Sequence, residues 1–365
     1  MLEVRLYLDL RYYNIVECEC MSKCVLEAQG YVSCGNTIGL GNSYVRPCEA
    51  GFRVKDGIVE RLIYDVVLSR PEDYLSIYQS CCNHNCLKCH SWYFSQHPRG
   101  SWYSPKRVLE EALRYENMVT VVEPRDRSTM WHASDLCAHC GSCLVQDSRG
   151  PYCPGVLSRD QVLLSPQGYG PARNIISFTG GDLYCRTRFY IETFKLLKRE
   201  TNLWIHIETN GYGLTPKNLD QLYSAGLDSI WLDMKAYNEE TYRKLCGTTN
   251  KWILELPARI VDMGLVLEVV LILIPELVYF NDIEGFAKLL SNVDRDLPVT
   301  LLAFFPEYLL LGYRSPTFEE MVKAYNILVD YGLRNVRLGN IGVFCKDRES
   351  LDLLIRTVGR EHVGL

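Results

Sequence analysis

Between residues 74 and 345, apolar strand-like segments alternate with helix-like ones, and that alternation restricts the chain to an α/β fold built on a parallel sheet. Strands are predicted at 74–80, 175–178, 203–208, 229–235, 266–274, 298–305 and around 336–340. Helices are predicted at 104–116, 189–200, 218–226, 239–246, 252–263, 282–293, 317–331 and 347–357. Ser104 as N-cap with Pro105 at the first turn, and Thr317 as N-cap, mark two helix starts. In barrels of this kind function gathers at the C-terminal ends of the strands. The unusual residues of this chain fall there: Cys82 to Cys89, Gly180 to Asp182, Glu208 to Gly211, Asp233 to Lys235, and Gly339 with Asn340.

Two stretches break the alternation. Residues 1–70 hold a first cysteine group and a glycine-rich turn, CGNTIGLGN, that no helix follows, so it is not a dinucleotide fingerprint. Residues 120–172 are rich in Pro, Gly, Ser and Asp and too long for an ordinary connection, which predicts a functional insertion. With 47% hydrophobic and 23% charged residues, the 365-residue chain has the material for a large core, and global disorder is excluded. The net charge of −5 argues against nucleic acid as a partner. The most apolar stretch, Leu265 to Phe280, is interrupted by Glu268, Pro275 and Glu276, so no membrane-spanning helix is expected. The charged N-terminus does not read as a signal peptide, and a cytoplasmic location is the expectation.

Sixteen cysteines in such a chain read as metal ligands before disulfides. Cys18, Cys20, Cys24, Cys34 and Cys48 form the first group. Cys82-x3-Cys86-x2-Cys89 forms the second, with Cys81 beside it, its side chain expected to point away. Cys137-x2-Cys140-x2-Cys143-x9-Cys153 forms the third, while Cys185, Cys246 and Cys345 stand alone and read as small buried hydrophobes. Three thiolates within eight residues suit a [4Fe–4S] cluster with one iron left open to a ligand. The third group, closing on Cys153-Pro154, has the ligands for a closed second iron–sulfur cluster or for a mononuclear iron or zinc. His84, His90, His97 and His132 lie near these groups and read as packing or hydrogen-bonding residues.

The spacing of Cys82, Cys86 and Cys89 resembles the signature of the radical S-adenosylmethionine (SAM) superfamily. The segments AGLDSIWLDMKAYNEETYRKLCG, LEVVLILIP, FFPEYLLLGYRSPT and YGLRNVRLGNIGVF extend the resemblance over roughly residues 74–345, toward the branch of pyruvate formate-lyase activating enzyme and the AmmeMemoRadiSam-type archaeal proteins. The resemblance implies a partial (β/α)6 TIM-like barrel over 71–345, an N-terminal cysteine-containing segment over 1–70, a metal-binding insertion at 120–172 and a C-terminal helix over 346–365. It also implies that Cys20, Cys24 and Cys34 fit a short cysteine knot found in relatives, with Cys18 offset by one.

For the cofactor, the resemblance implies that Gly180, Gly181 and Asp182 match the family's Gly-Gly-Glu motif, which holds the SAM amino group, with an acid one methylene shorter. Lys235, beside Asp233, would pair with the SAM carboxylate, and Glu208, Thr209 and Asn210 would line the same site. A monovalent cation on Glu208, Thr209, Asp233 and the backbone near Trp231 is a further implication. The implied activity is reductive cleavage of SAM to a 5′-deoxyadenosyl radical, which takes hydrogen from a protein or peptide substrate, with a reducing electron donor as second partner. Two alternatives stand beside it: a cobalamin-dependent radical SAM protein C-methyltransferase, and a non-catalytic metal-binding or electron-transfer scaffold. The insertion is expected near the C-terminal strand ends, where it would shape the substrate mouth.

Overall fold

A computed structural model describes residues 24–364; Cys18 and Cys20 lie outside the described residues. A ten-stranded sheet organises them. Its strands are β1 (Phe52–Lys55), β2 (Ile58–Leu68), β3 (Leu75–Gln79), β4 (Ser101–Tyr103), β5 (Ile175–Gly180), β6 (Trp204–Thr209), β7 (Ser229–Asp233), β8 (Val266–Leu273), β9 (Val299–Ala303) and β10 (Val336–Gly339). β3 and β5 to β10 pair in parallel and in chain order, as successive βα units require. The expected α/β class is therefore observed, with seven parallel strands rather than six. The sheet is open: β10 ends it on one side and β1 on the other. β2 pairs antiparallel with β1, β3 and β4, so residues 52–68 of the N-terminal segment belong to the same sheet as the barrel strands.

The longer helices are α1 (Pro105–Glu116), α2 (Thr187–Glu200), α3 (Pro216–Ala225), α4 (Glu239–Cys246), α5 (Leu256–Asp262), α6 (Phe280–Val293), α7 (Phe318–Asp330) and α8 (Arg348–Val358). The Ser104 hydroxyl accepts from Arg107 N at the start of α1, and Thr317 with Glu320 forms a capping box on α7. Strand alternation sorts the side chains into two faces. On β5, Phe178 meets Phe194 of α2, with ring centroids 5.3 Å apart. Its neighbours Ser177 and Thr179 point the other way and donate to Glu208. The inner face is polar for much of its extent: His206 bonds Ser229 at 2.8 Å, and Thr300 donates to Glu268 at 2.8 Å.

The insertion corrects an expectation. Its first part, residues 123–135, closes the N-terminal end of the barrel, opposite to the strand ends where it was expected. Trp131 N donates to Glu268, the third residue of β8, at 2.8 Å. Ser229, the first residue of β7, donates to the Ser128 carbonyl at 2.7 Å. The Trp204 indole at the start of β6 donates to the Glu123 carbonyl at 2.8 Å. Fully buried Arg173, just before β5, pairs with Glu123 and donates to the carbonyls of Glu72, Thr129 and Arg127. A polar segment that cannot build an apolar core is thus held by buried charge and backbone hydrogen bonds.

Candidate functional site

The cysteine loop leaves β3 at the C-terminal end of the sheet. Three surroundings grip its backbone: Cys81 N and Cys82 N donate to the carbonyls of Phe94 and Ser95, Asn83 N to that of Asp182, and Leu87 N to that of Leu245. Cys81 has a left-handed φ of 67°, a strained choice for a residue with a Cβ. It sends the Cys81 thiol into the core beside Ser80, while Cys82 next to it stays half-buried. The Cys82 thiol lies 3.8 Å from Asn210 Nδ2, and Cys89 lies 3.3 Å from the Ser95 hydroxyl. Cys86 is buried; its hydrogen bond to Cys246 and then burial hold its thiol well above the usual range. Cys246, expected to stand alone, ends α4 against this loop.

The glycine turn after β5 is shaped around the cysteine loop. A Cβ on Gly181 would meet the Cys81 carbonyl oxygen at 2.2 Å, and Gly180 has φ 88° with the Phe94 ring 2.7 Å from where a Cβ would stand. Arg61 of β2, fully buried, donates to the carbonyls of Gly51, Cys81 and Gly181, tying both loops to the edge of the sheet. Nothing in the sequence singles out Arg61, a basic residue in a strand that alternation alone places neither inside nor outside. Asp182 is 3% exposed and accepts four hydrogen bonds. Oδ1 takes Asn83 Nδ2 at 3.2 Å and Tyr184 N at 3.3 Å. Oδ2 takes the Thr209 hydroxyl at 2.6 Å and Asn210 N at 3.0 Å. Burial nevertheless raises its carboxyl above the ordinary value.

Asp233 and Lys235 form an ion pair at the end of β7. Burial works to lower the Lys235 ammonium, but Asp233 and the nearby Cys86 thiol hold it above its usual value. Glu208 turns into the barrel, where its carboxylate accepts from Tyr74 at 3.0 Å, Ser177 at 3.3 Å and Thr179 at 2.6 Å. Burial, then the charge of Glu72, raises it to about 7. Glu208, Thr209 and Asp233, the expected cation ligands, thus engage three different sets of partners: barrel hydroxyls, Asp182 and Lys235. The histidines pack: His84 bonds Asn83 and Tyr242, and burial, then Lys235, lowers it to about 3. His90 bonds Glu307, and His132 bonds Asp135.

The other cysteines lie elsewhere. Cys137, Cys140, Cys143 and Cys153 line one cavity of about 250 Å³ together with Leu136, Leu157 and Val162. Its anchor is His139, whose ring bonds Asp73 at 2.9 Å, just before β3 begins. The cavity therefore opens at the N-terminal end of the sheet, away from Cys82, Cys86 and Cys89. In the first group, burial and then Cys48 and Cys24 push the Cys34 thiol up to about 11. Cys185, expected to stand alone, is raised by burial and by the same Cys48 and Cys34. Among the described residues, no three His, Cys, Asp or Glu side chains converge as ligands of a single metal ion. That convergence is not required of Cys82, Cys86 and Cys89, since in a cluster each thiolate meets its own iron; the three thiols at one strand end, with amide and hydroxyl donors beside them, fit such a group.

Comparison with known proteins finds a radical SAM domain in this chain. Residues 137–290 match the sequence model of the radical SAM superfamily, a stretch that includes the glycine turn and Lys235. The chain is 33% identical over 149 residues to a Methanocaldococcus jannaschii protein provisionally named a glycyl-radical enzyme activating enzyme, covering 40% of this chain and 55% of that one. It is 24% identical over 173 residues to the pyruvate formate-lyase 1-activating enzyme of Escherichia coli K12, covering 43% and 68%. A solved domain of pyruvate-formate lyase-activating enzyme from Bacteroides vulgatus is similar at 20% identity and a TM-score of 0.39, covering 45% of this chain and 98% of that one.

Proposed function

From the radical SAM domain that this chain carries, we propose that it is an enzyme cleaving SAM reductively at a [4Fe–4S] cluster on Cys82, Cys86 and Cys89, to act on a C–H bond of a protein or peptide. The observation that carries this reading is the meeting of those three cysteines with Gly180, Gly181, Asn210 and Lys235 at the C-terminal end of one sheet. The matched stretch 137–290 leaves Cys82–Cys89 out and takes in Cys137–Cys143. Position separates the two sets, because only Cys82–Cys89 share an end with Lys235 and the glycine turn.

When bound, the cluster and SAM supply the radical chemistry. The chain's own residues hold and orient. Lys235 offers the positive charge for the SAM carboxylate, and Asn210 steadies the Cys82 thiol and Asn83 together. Asp182 holds the cysteine loop and the end of β6 in register. The activating-enzyme relatives, named as enzymes that act on other enzymes, support a protein or peptide as substrate.

Anaerobic reconstitution followed by a 5′-deoxyadenosine assay tests the reading. Cys82→Ala, Cys86→Ala and Cys89→Ala should each abolish product, and Cys81→Ala should retain it. Product formation by Cys82→Ala, or its loss only in Cys81→Ala, would overturn the assignment. A corrinoid absorbance in the purified protein would favour methyl transfer instead.

A further inference from the structure

The C-terminus of α4 runs into the cysteine loop and brings a thiol that lies outside the three-cysteine motif. α4 ends at Cys246, where Gly247 with φ 77° turns the chain away. The last carbonyls of a helix have no partner inside it. Here the loop takes them: Leu87 N donates to the Leu245 carbonyl at 2.8 Å, and Asn85 N to the Cys246 carbonyl at 3.3 Å. These two bonds stand on either side of Cys86 and set Cys246 against it, and the two thiols hydrogen-bond. Tyr242, one turn earlier on α4, bonds the His84 ring at 2.8 Å. From the N-terminal segment, Asn36 Nδ2 donates to the carbonyls of Cys82 and His84. Two separate elements therefore grip the loop and keep Cys86 facing Cys246.

We propose that Cys246 is a positioning residue of the radical site: its thiol donates to the Cys86 sulfur when that sulfur is bound to iron, and the bond raises the reduction potential of the cluster. The proposal rests on Cys82, Cys86 and Cys89 being the cluster ligands. Protons decide the direction of the bond. Ligation to iron removes the Cys86 proton, so of the two thiols only Cys246 has one left to give. Cys246 is 0% exposed, so no water competes for its S–H. A thiol is a weak donor, which suits it to adjusting a sulfur ligand rather than displacing one.

The other two ligand sulfurs have side-chain donors of their own. Asn210 Nδ2 lies 3.8 Å from Cys82 Sγ, and the Ser95 hydroxyl 3.3 Å from Cys89 Sγ. With Cys246, each of the three sulfurs meets one donor: an amide, a thiol and a hydroxyl. Hydrogen bonds to the sulfurs set the potential of an iron–sulfur cluster. The reduced cluster carries one more negative charge than the oxidised one, so it gains more from each donor. The setting of Cys86 makes a donor matter there. A helix C-terminus carries partial negative charge, and α4 directs its own at Cys86. Lys235 is the nearby cation, on which both Cys86 and Cys246 act, but it is paired with Asp233 and is the charge offered to the SAM carboxylate.

A redox titration of the reconstituted full chain tests this. It follows the electron paramagnetic resonance signal of the reduced cluster that changes when SAM is added, and loss of that signal in Cys86→Ala identifies the centre. Cys246→Ala should keep the iron and sulfide counts and move the midpoint to a more negative potential. At a fixed potential the ratio of reduced to oxidised cluster should fall about two- to tenfold, as the loss of one hydrogen bond implies. Cys246→Ser, close to alanine in size but with a hydroxyl to donate, should bring the midpoint back to the native value or above it. An unchanged midpoint in Cys246→Ala would overturn the proposal. So would equal shifts in the two variants, which would make the effect one of packing. Should Cys246→Ala lose its cluster, Cys246→Val against Cys246→Thr, alike in shape and different in the hydroxyl, makes the same comparison. A native chain with no SAM-responsive signal at any potential would fail the radical assignment itself and take this proposal with it, so the two failures are distinguishable.

Discussion

At the scale of the residue, a shortened acid changes what the end of the glycine turn does. Asp182 spends both carboxylate oxygens on Asn83, Tyr184, Thr209 and Asn210, so the group expected to face SAM is committed to the protein. Asp182→Ala removes charge-assisted bonds worth about 1.5–3 kcal/mol each and frees Asn83 in the cysteine loop. The expected outcome is reduced iron retention together with weaker SAM binding; a full iron count with weakened SAM affinity alone would restore a direct contact. Glu208 gives a pH signature. Its folded value of about 7 lies above the ordinary 4.5, so the folded state binds the extra proton between those values. Stability therefore falls as pH rises through that window and levels off above it. Glu208→Gln should flatten this slope and be the more stable protein at about pH 8, read by urea unfolding at several pH values. An unchanged slope would mean that Glu208 is ionised throughout. The cysteine spacing and Gly180–Gly181 were legible in the sequence because cluster ligation and close backbone approach demand those residue types. Arg61 and Cys246 were not, since their roles depend on β2 and α4 being brought to the same loop from distant parts of the chain.

At the scale of the element, the strands were legible because apolar periodicity is local. β8 was predicted at 266–274 and spans Val266–Leu273, and α4 was predicted as observed. β1 and β2 were missed among the cysteines and glycines of the first 70 residues, although β2 shows mixed burial along its eleven residues. The placement of 123–135 was illegible for a physical reason: its partners are single polar side chains on β7, β8 and β10, and no local pattern encodes which end of a barrel a polar segment will close. The hold is concentrated in Arg173, whose guanidinium is 0% exposed. Arg173→Met would leave the Glu123 carboxylate buried with only Arg127 and orphan three carbonyls, at a cost of about 3–5 kcal/mol. Limited proteolysis should then cut within 123–135 while the Cys82–Cys89 loop keeps its iron. Native protease resistance in that variant would show that the segment is held by other contacts.

At the scale of the molecule, the sheet separates two cysteine groups and has two edges. The five residues of β3 alone place about 17 Å between its ends, with Asp73 and the His139 anchor before it and Cys82 after it. An open barrel must also manage its edges, because unpaired strands recruit other strands. β1 is four residues long and carries the Arg53–Glu60 pair. The β10 edge is covered by the chain beyond α8. Leu338 bridges Val363 in parallel, Gly364 N donates to the Leu338 carbonyl at 2.9 Å, and Arg337 Nε donates to the Glu361 carbonyl at 2.8 Å. Val363 is fully buried in doing so. Removing residues 360–365 would expose Leu338 together with its ladder groups and lose at least the burial of one valine, about 1.5–3 kcal/mol. The truncated chain should unfold at lower denaturant and sediment as concentration-dependent oligomers. Val363→Asp, which keeps the chain length, should do the same, because a carboxylate cannot be buried unpaired at that bridge. Monomeric behaviour and unchanged stability in both variants would mean that the edge is protected by the twist of β10 itself.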